Sequence, residues 1–223
     1  MTTSLPAQRG QRMPRSERRA QLLRAAQDVF VSRGYHAAAM DEIADRAGVS
    51  KPVLYQHFPG KLDLYLALLD QHCDTLERLV REALALPAEG NHARVAATIG
   101  AYYEFVSREG AAFRMVFESD LTSVPQVRAR LDGVELACAE AIADVIAQDT
   151  GVDDERAMLL GTGLSGMAQI TARYWLAQGG SIPRDEAASL VVALAWGGLG
   201  SFPKVDGHRP GADGEEGNLD SRG

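Results

Sequence analysis

Residues 61–86 read KLDLYLALLDQHCDTLERLVREALAL. They place Leu62, Tyr65, Leu66, Leu69, Cys73, Leu76, Val80 and Ala83 on one stripe at intervals of three and four. That is the helical period, sustained for about seven turns. A helix this long, apolar along one side, needs other helices to cover it. The remaining sequence supplies them. Residues 16–33 carry Leu22, Leu23, Ala26, Val29 and Phe30 at the same spacings, with arginines between. MDEIADRAG is a short amphipathic helix with Ile43, Ala44 and Ala47 inward. Further helices are predicted at about 92–109, 111–119, 125–149, 153–178 and 184–200. Breaks rich in Gly, Pro, Ser and Asp separate them. No run alternates with period two over strand length, so the expected fold is all-α.

Within this pattern, GVSKPVLYQHFPGK (48–61) has a distinct character. Gly48 stops one short helix, and Ser50 stands where a second begins, the layout of a helix-turn-helix. Ser50 is placed to cap the second helix through its hydroxyl. Pro52 fits the first turn, where a missing N–H costs no intrahelical bond. Leu54 and Phe58, four apart, point inward. Lys51 and Tyr55 then share one outward edge, and Pro52 and Gln56 the next. A cationic, aromatic and hydrogen-bonding face at a helix N-terminus suits the major groove of DNA, with donors toward phosphates and side chains toward base edges. Lys61 follows, within reach of a flanking phosphate. Ser16 is expected to cap the first helix and Gly34 to end it.

Charge agrees. The 223-residue chain has a net charge of −7, unevenly spread. Residues 1–66 hold 10 Lys/Arg and 6 Asp/Glu, while residues 67–223 hold 13 and 24. A basic head on an acidic body suggests that the head meets a polyanion. The arm before it carries Arg9, Arg12 and Arg15, which can track a minor groove or serve as a solubilising tail.

Residues 16–66 resemble the DNA-binding domain of TetR-type regulators. The residues that carry the resemblance are RAAQDVFVSRGYHAAAMDEIADRAGVSKPVLYQHFPGKLDLY, in particular F-x-x-x-G-Y, IA-x-x-AGVS and LY-x-HF-x-x-K. The resemblance implies an N-terminal three-helix helix-turn-helix head, followed by a larger helical domain that binds a ligand and dimerises through its last two long helices. It places Lys51, Pro52, Tyr55, Gln56, His57 and Lys61 against DNA; Met40, Ser50 and Val53 complete the expected DNA-binding set. One departure stands out. The family usually has Thr or Ser just before the second helix, and this chain has Ala38, Ala39 and Met40, so the helix start leans on Asp41 near its dipole.

The expected organisation is a flexible basic arm (1–15), a DNA-binding head (16–62), a ligand-binding and dimerisation domain (63–200) and a disordered tail (201–223). Wide apolar faces on 153–178 and 184–200, with Leu190, Val191, Leu194 and Trp196, predict a homodimer in which these helices form a four-helix bundle. Tyr103, Phe113, Phe117 and Trp175 are the expected ligand-lining residues. The long helix from Lys61 is the expected mechanical link between ligand and head.

Other chemistries find little support. GTGLSG (161–166) matches a dinucleotide fingerprint in spelling, but a helical pattern precedes it where a strand is needed. Its glycines are expected inside a helix, letting another come close. The five histidines and two cysteines show no metal spacing, and the cysteine count fits a reducing compartment. No apolar run reaches the ~20 residues of a membrane helix. The expectation is a cytoplasmic, non-enzymatic repressor that binds a palindromic DNA operator as a dimer and is released by a small molecule, with no cofactor or metal. The alternatives are a ligand-independent architectural DNA-binding protein and a cofactor-dependent enzyme.

Overall fold

The computed structural model describes residues 13–86, 90–108 and 121–198. Among these residues there are eight α-helices and no strand. They are α1 (Arg15–Ala37), α2 (Met40–Ala47), α3 (Lys51–His57), α4 (Lys61–Ala85), α5 (Asn91–Arg108), α6 (Pro125–Thr150), α7 (Asp154–Ala177) and α8 (Arg184–Gly197). The predicted helix at 111–119, with Phe113 and Phe117, lies outside the described residues, as do Arg9, Arg12 and the predicted tail.

α1 to α3 form the head. Leu22, Ala26, Ile43 and Leu54 are fully or almost fully buried where the three helices meet. α1 breaks at Gly34, whose φ of 73° interrupts an otherwise helical run. The sequence expectation of a stop there holds for the straight helix, although hydrogen bonding carries on to Ala37. The cap differs: Pro14 occupies the N-cap position, and Ser16 sits inside the first turn. Gly48 closes α2 in the left-handed conformation (φ 64°), and the Val49 N–H reaches back to the Ala44 carbonyl. That closure fixes the turn into α3.

α4 runs from the head into the body. Its burial is wider than the predicted stripe: Leu64, Leu68 and His72 are buried beside Tyr65, Leu69, Cys73, Leu76, Val80 and Ala83, while Leu62 and Leu66 are only partly covered. The cause is its position, because α1, α5 and α6 all pack against it. Arg130 of α6 pairs with Asp70 at 2.5 Å across one of these contacts.

In the body, α6 and α7 approach each other closely at Gly161. A Cβ on Gly161 would lie 2.5 Å from the Ala139 carbonyl oxygen. This is the packing role expected for the GTGLSG glycines. It belongs to Gly161 alone, since Gly163 and Gly166 have open space at the same distance. Nearby, the Tyr102 hydroxyl and Ser165 Oγ form a buried hydrogen bond of 2.7 Å, tying α5 to α7. No helix among the described residues is long and apolar enough to cross a membrane.

Candidate nucleic-acid interface

α3 presents Lys51, Pro52, Tyr55 and Gln56 to solvent, while Leu54 and Phe58 are 0% and 2% exposed. The alternation follows from the helical period. Core residues anchor one side, so the polar side is held out. Val53 and His57 are half-buried at the flank nearest α1. Ser50 stands at the N-cap, and its backbone carbonyl accepts from the N–H groups of Val53 and Leu54. Its side chain makes no capping hydrogen bond, contrary to expectation, so the exposed hydroxyl is turned to solvent.

Lys51 is preorganised. Its ammonium lies 2.7 and 2.9 Å from the two carboxylate oxygens of Asp41, in the first turn of α2. The hydrogen bond to that carboxylate and its field raise the lysine pKa above the ordinary 10.5. The role found for Asp41 goes beyond the dipole role expected from sequence: it also holds the leading cation of α3.

Two expected contacts are corrected. Met40 is only 9% exposed, too deep in the head to meet DNA. Its place is legible in retrospect, because Met40, Ile43, Ala44 and Ala47 follow one helical face. Lys61 is partly buried, and its ammonium is engaged within the head. Its ammonium donates to the carbonyls of Tyr35 (2.7 Å), Ala38 (2.9 Å) and His36 (3.1 Å), and lies 4.5 Å from the Tyr35 ring centroid. It caps the end of α1, where carbonyls left without helical partners attract a cation.

Comparison with known proteins agrees with this geometry. The sequence profile for "Bacterial regulatory proteins, tetR family" matches residues 22–68, the helix-turn-helix head. Over 195 residues the chain is 48% identical to the HTH-type transcriptional activator FasR of Mycolicibacterium smegmatis, covering 87% of this chain and 89% of that protein. The chain belongs to the TetR family. A TetR-family regulator from Streptomyces coelicolor shares the architecture at a TM-score of 0.67 and 32% identity, over 82% of this chain and 80% of that one. FadR of Bacillus subtilis, solved in complex with stearoyl-CoA, shares the fold at a TM-score of 0.68 and 19% identity, over 81% and 98%. The protein is thus a DNA-binding transcriptional regulator of the TetR family.

In this TetR-family body, two of the expected ligand residues, Tyr103 and Trp175, border a shallow cleft. Tyr103 and Trp175 meet there with ring centroids 5.8 Å apart, beside Tyr174, Ile182 and Leu190. Trp175 is also structural. Its indole N–H donates to the Ile182 carbonyl at 2.7 Å, and Gly180, at φ 67°, packs against its ring. A more apolar cavity of about 330 Å³ lies elsewhere, between the C-terminal end of α4 and helices α5 to α8. Leu84, Val95, Ile99, Ile142 and Leu164 line it, and an Arg94–Asp149 ion pair of 2.5 Å stands at its polar side. Sequence reading missed these residues, because aliphatic side chains at helical spacing look the same around a cavity as in a filled core.

Proposed function

We propose that the protein is a homodimeric regulator that reads a palindromic operator through α3 and loses operator affinity when a small, largely apolar molecule occupies the body. The observation that carries the reading is the outward row of Lys51, Pro52, Tyr55 and Gln56 on a helix anchored in the head by buried Leu54 and Phe58. The cavity of about 330 Å³ supports the effector, since it is within the size range of small-molecule sites and mainly apolar in lining. The FasR relative is named an activator, and on that ground we infer activation in place of the repression expected from sequence. Operator position relative to the promoter sets this sign, so a promoter fusion with and without the regulator gene tests it.

Footprinting of the purified protein on genomic fragments tests the DNA reading. Lys51→Ala/Tyr55→Ala is expected to weaken binding to the recovered site at least about 30-fold, since a good base contact is worth about 1–3 kcal/mol and the variant removes two. Unchanged affinity would place the reading surface elsewhere.

The dimer reading rests on apolar residues left uncovered in one protomer. On α7, Leu159, Ile170 and Tyr174 are 74%, 58% and 67% exposed, and on α8 Trp196 is 55% exposed. Such a patch marks an interface. Val191 does not belong to it, being 7% exposed and packed inside the protomer, so the expected contact set narrows to the outer residues. Leu159→Glu/Ile170→Glu should convert a dimer of two 24.0 kDa chains to folded monomers in sedimentation and weaken operator binding. A wild-type monomer at micromolar concentration would refute the dimer.

A further inference from the structure

The imidazole at the end of the reading helix stands in the field of several cations. His57 ends α3, and the charged groups that bear on it are Arg15, Arg19 and Arg18, all from the first turns of α1. No carboxylate is among them. Arg15, Arg18 and His57, with Met13, Val53 and Gln56, line an open cleft between α1 and α3.

The cleft is built of held side chains. Arg18 Nη1 donates to Gln21 Oε1 at 2.7 Å, and Gln21 Nε2 donates to the Ala47 carbonyl at 2.8 Å, so the end of α2 positions the Arg18 guanidinium. Arg19 lies 4.4 Å from the centroid of the Phe58 ring, which fixes a second cation next to His57. Gln56 belongs both to this cleft and to the outward row of α3, so the cleft is continuous with the surface that faces the duplex.

A cation-lined cleft beside a DNA-reading helix fits the phosphodiester backbone. It also has a consequence for protons. Burial, followed by the fields of Arg15, Arg19 and Arg18, holds the His57 imidazole below its ordinary pKa of 6.5, so it is neutral in the free protein near pH 7. An anion seated between the arginines offsets part of that field and so raises the imidazole pKa, and the protonated ring, with two N–H donors, is the better partner for it. We propose that this cleft seats a backbone phosphate of the bound duplex and that seating it favours protonated His57, so that operator binding takes up protons from solvent, at most one at each head.

The sign follows from linkage. Between the depressed value of the free head and the higher value of the bound head, the bound state holds more protons, so affinity rises as pH falls. The dependence flattens above the bound-state value and again below the free-state value.

The inference rests on the DNA-binding reading, and the test separates the two. Full-length wild type, His57→Gln and Arg15→Ala/Arg18→Ala are titrated with the same footprinted duplex from about pH 5.5 to about pH 8, a span around the ordinary histidine value, at fixed ionic strength. Wild-type affinity per head should rise by up to about tenfold per pH unit inside the window, and His57→Gln should remove that increment. The His57 ring-proton resonance, followed in the free and duplex-bound protein, should report a higher pKa when bound. The double arginine variant should lower the slope of log affinity against log salt by about 0.9 for each lost phosphate contact. Identical pH profiles for wild type and His57→Gln, with normal operator binding by both, would overturn the inference and leave the DNA reading intact. Absence of duplex binding by wild type at every pH would overturn both.

Discussion

Gly161→Val should lower stability by at least about 3 kcal/mol, at or beyond the upper end of ordinary overpacking. At about 2–4 °C per kcal/mol for a chain of this size, the melting temperature should fall by ~10 °C. The reason is geometric. The first added carbon would sit 2.5 Å from the Ala139 carbonyl oxygen, 3.0 Å from the Ala143 nitrogen and 3.1 Å from the Ala143 Cβ. Two of these are backbone atoms of α6, which cannot rotate away as the end of a side chain could. Relief requires α6 and α7 to separate, and that would also loosen the Tyr102–Ser165 hydrogen bond one helical turn along α7. Gly133→Ala is the matched control: it lies within α6, exposed, with nothing within 4 Å of an added Cβ. There the gain in helix propensity, up to about 1 kcal/mol, should appear as a small stabilisation. Thermal unfolding of both variants checks the pair, and a Gly161→Val protein that melts with wild type would mean that the two helices are not in this contact.

The contrast between Gly161 and its neighbours shows what a sequence can carry. That GTGLSG sits inside a helix followed from the pattern around it. Which glycine touches another helix did not, because close approach is a property of two segments at once. The same division runs through the head. Leu54 and Phe58 could be assigned to the core, and Lys51, Tyr55 and Gln56 to the outside, from spacing within the eight residues 51–58. Met40 could also have been placed from its own face, by extending the Ile43–Ala47 pattern back one turn. The resemblance to a familiar arrangement drew it toward DNA instead. Asp41 and Lys51 are ten residues apart and on different helices, so their ion pair rests on the turn at Gly48 and on nothing local. The breadth of burial on α4 was likewise hidden, since a stripe reports one partner, and among the described residues α1, α5 and α6 all pack against α4. The cavity beside Leu84 and Ile142 leaves no trace in the sequence, for it is defined by space between side chains whose types are those of any core.

Lys61→Met should destabilise the head by about 2–4 kcal/mol, less than the sum of three charge-assisted hydrogen bonds because partly exposed carbonyls can recover water. Methionine keeps a similar apolar stem and removes only the ammonium. In the wild type that ammonium uses all three of its donors on the carbonyls of Tyr35, His36 and Ala38, and it sits over the Tyr35 ring. These carbonyls mark the joint between α1 and α2, just past the break at Gly34. Beside them, Tyr65 of α4 packs edge-on against Tyr35 and Phe30, with centroids 5.2 and 5.5 Å apart. Lys61 and Tyr65 are one turn apart on α4, so the first turn of that helix grips the head by a polar clamp and an aromatic one. Lys61→Arg should recover only part of the loss, because a planar guanidinium cannot direct three N–H groups around one point as an ammonium does. The measurement that separates this role from a phosphate contact is the salt dependence of operator binding at a temperature where the variant remains folded. A clamp residue leaves the slope of log affinity against log salt unchanged, whereas loss of a phosphate contact would reduce it by about 0.9. If the clamp also transmits the effector signal, Lys61→Met should narrow the ratio of operator affinities measured without and with effector, since movement of α4 would no longer be imposed on the joint that orients α2 and α3. An unchanged ratio in a destabilised variant would assign transmission to the Tyr35–Tyr65–Phe30 contact, and Tyr65→Ala should then collapse the ratio on its own.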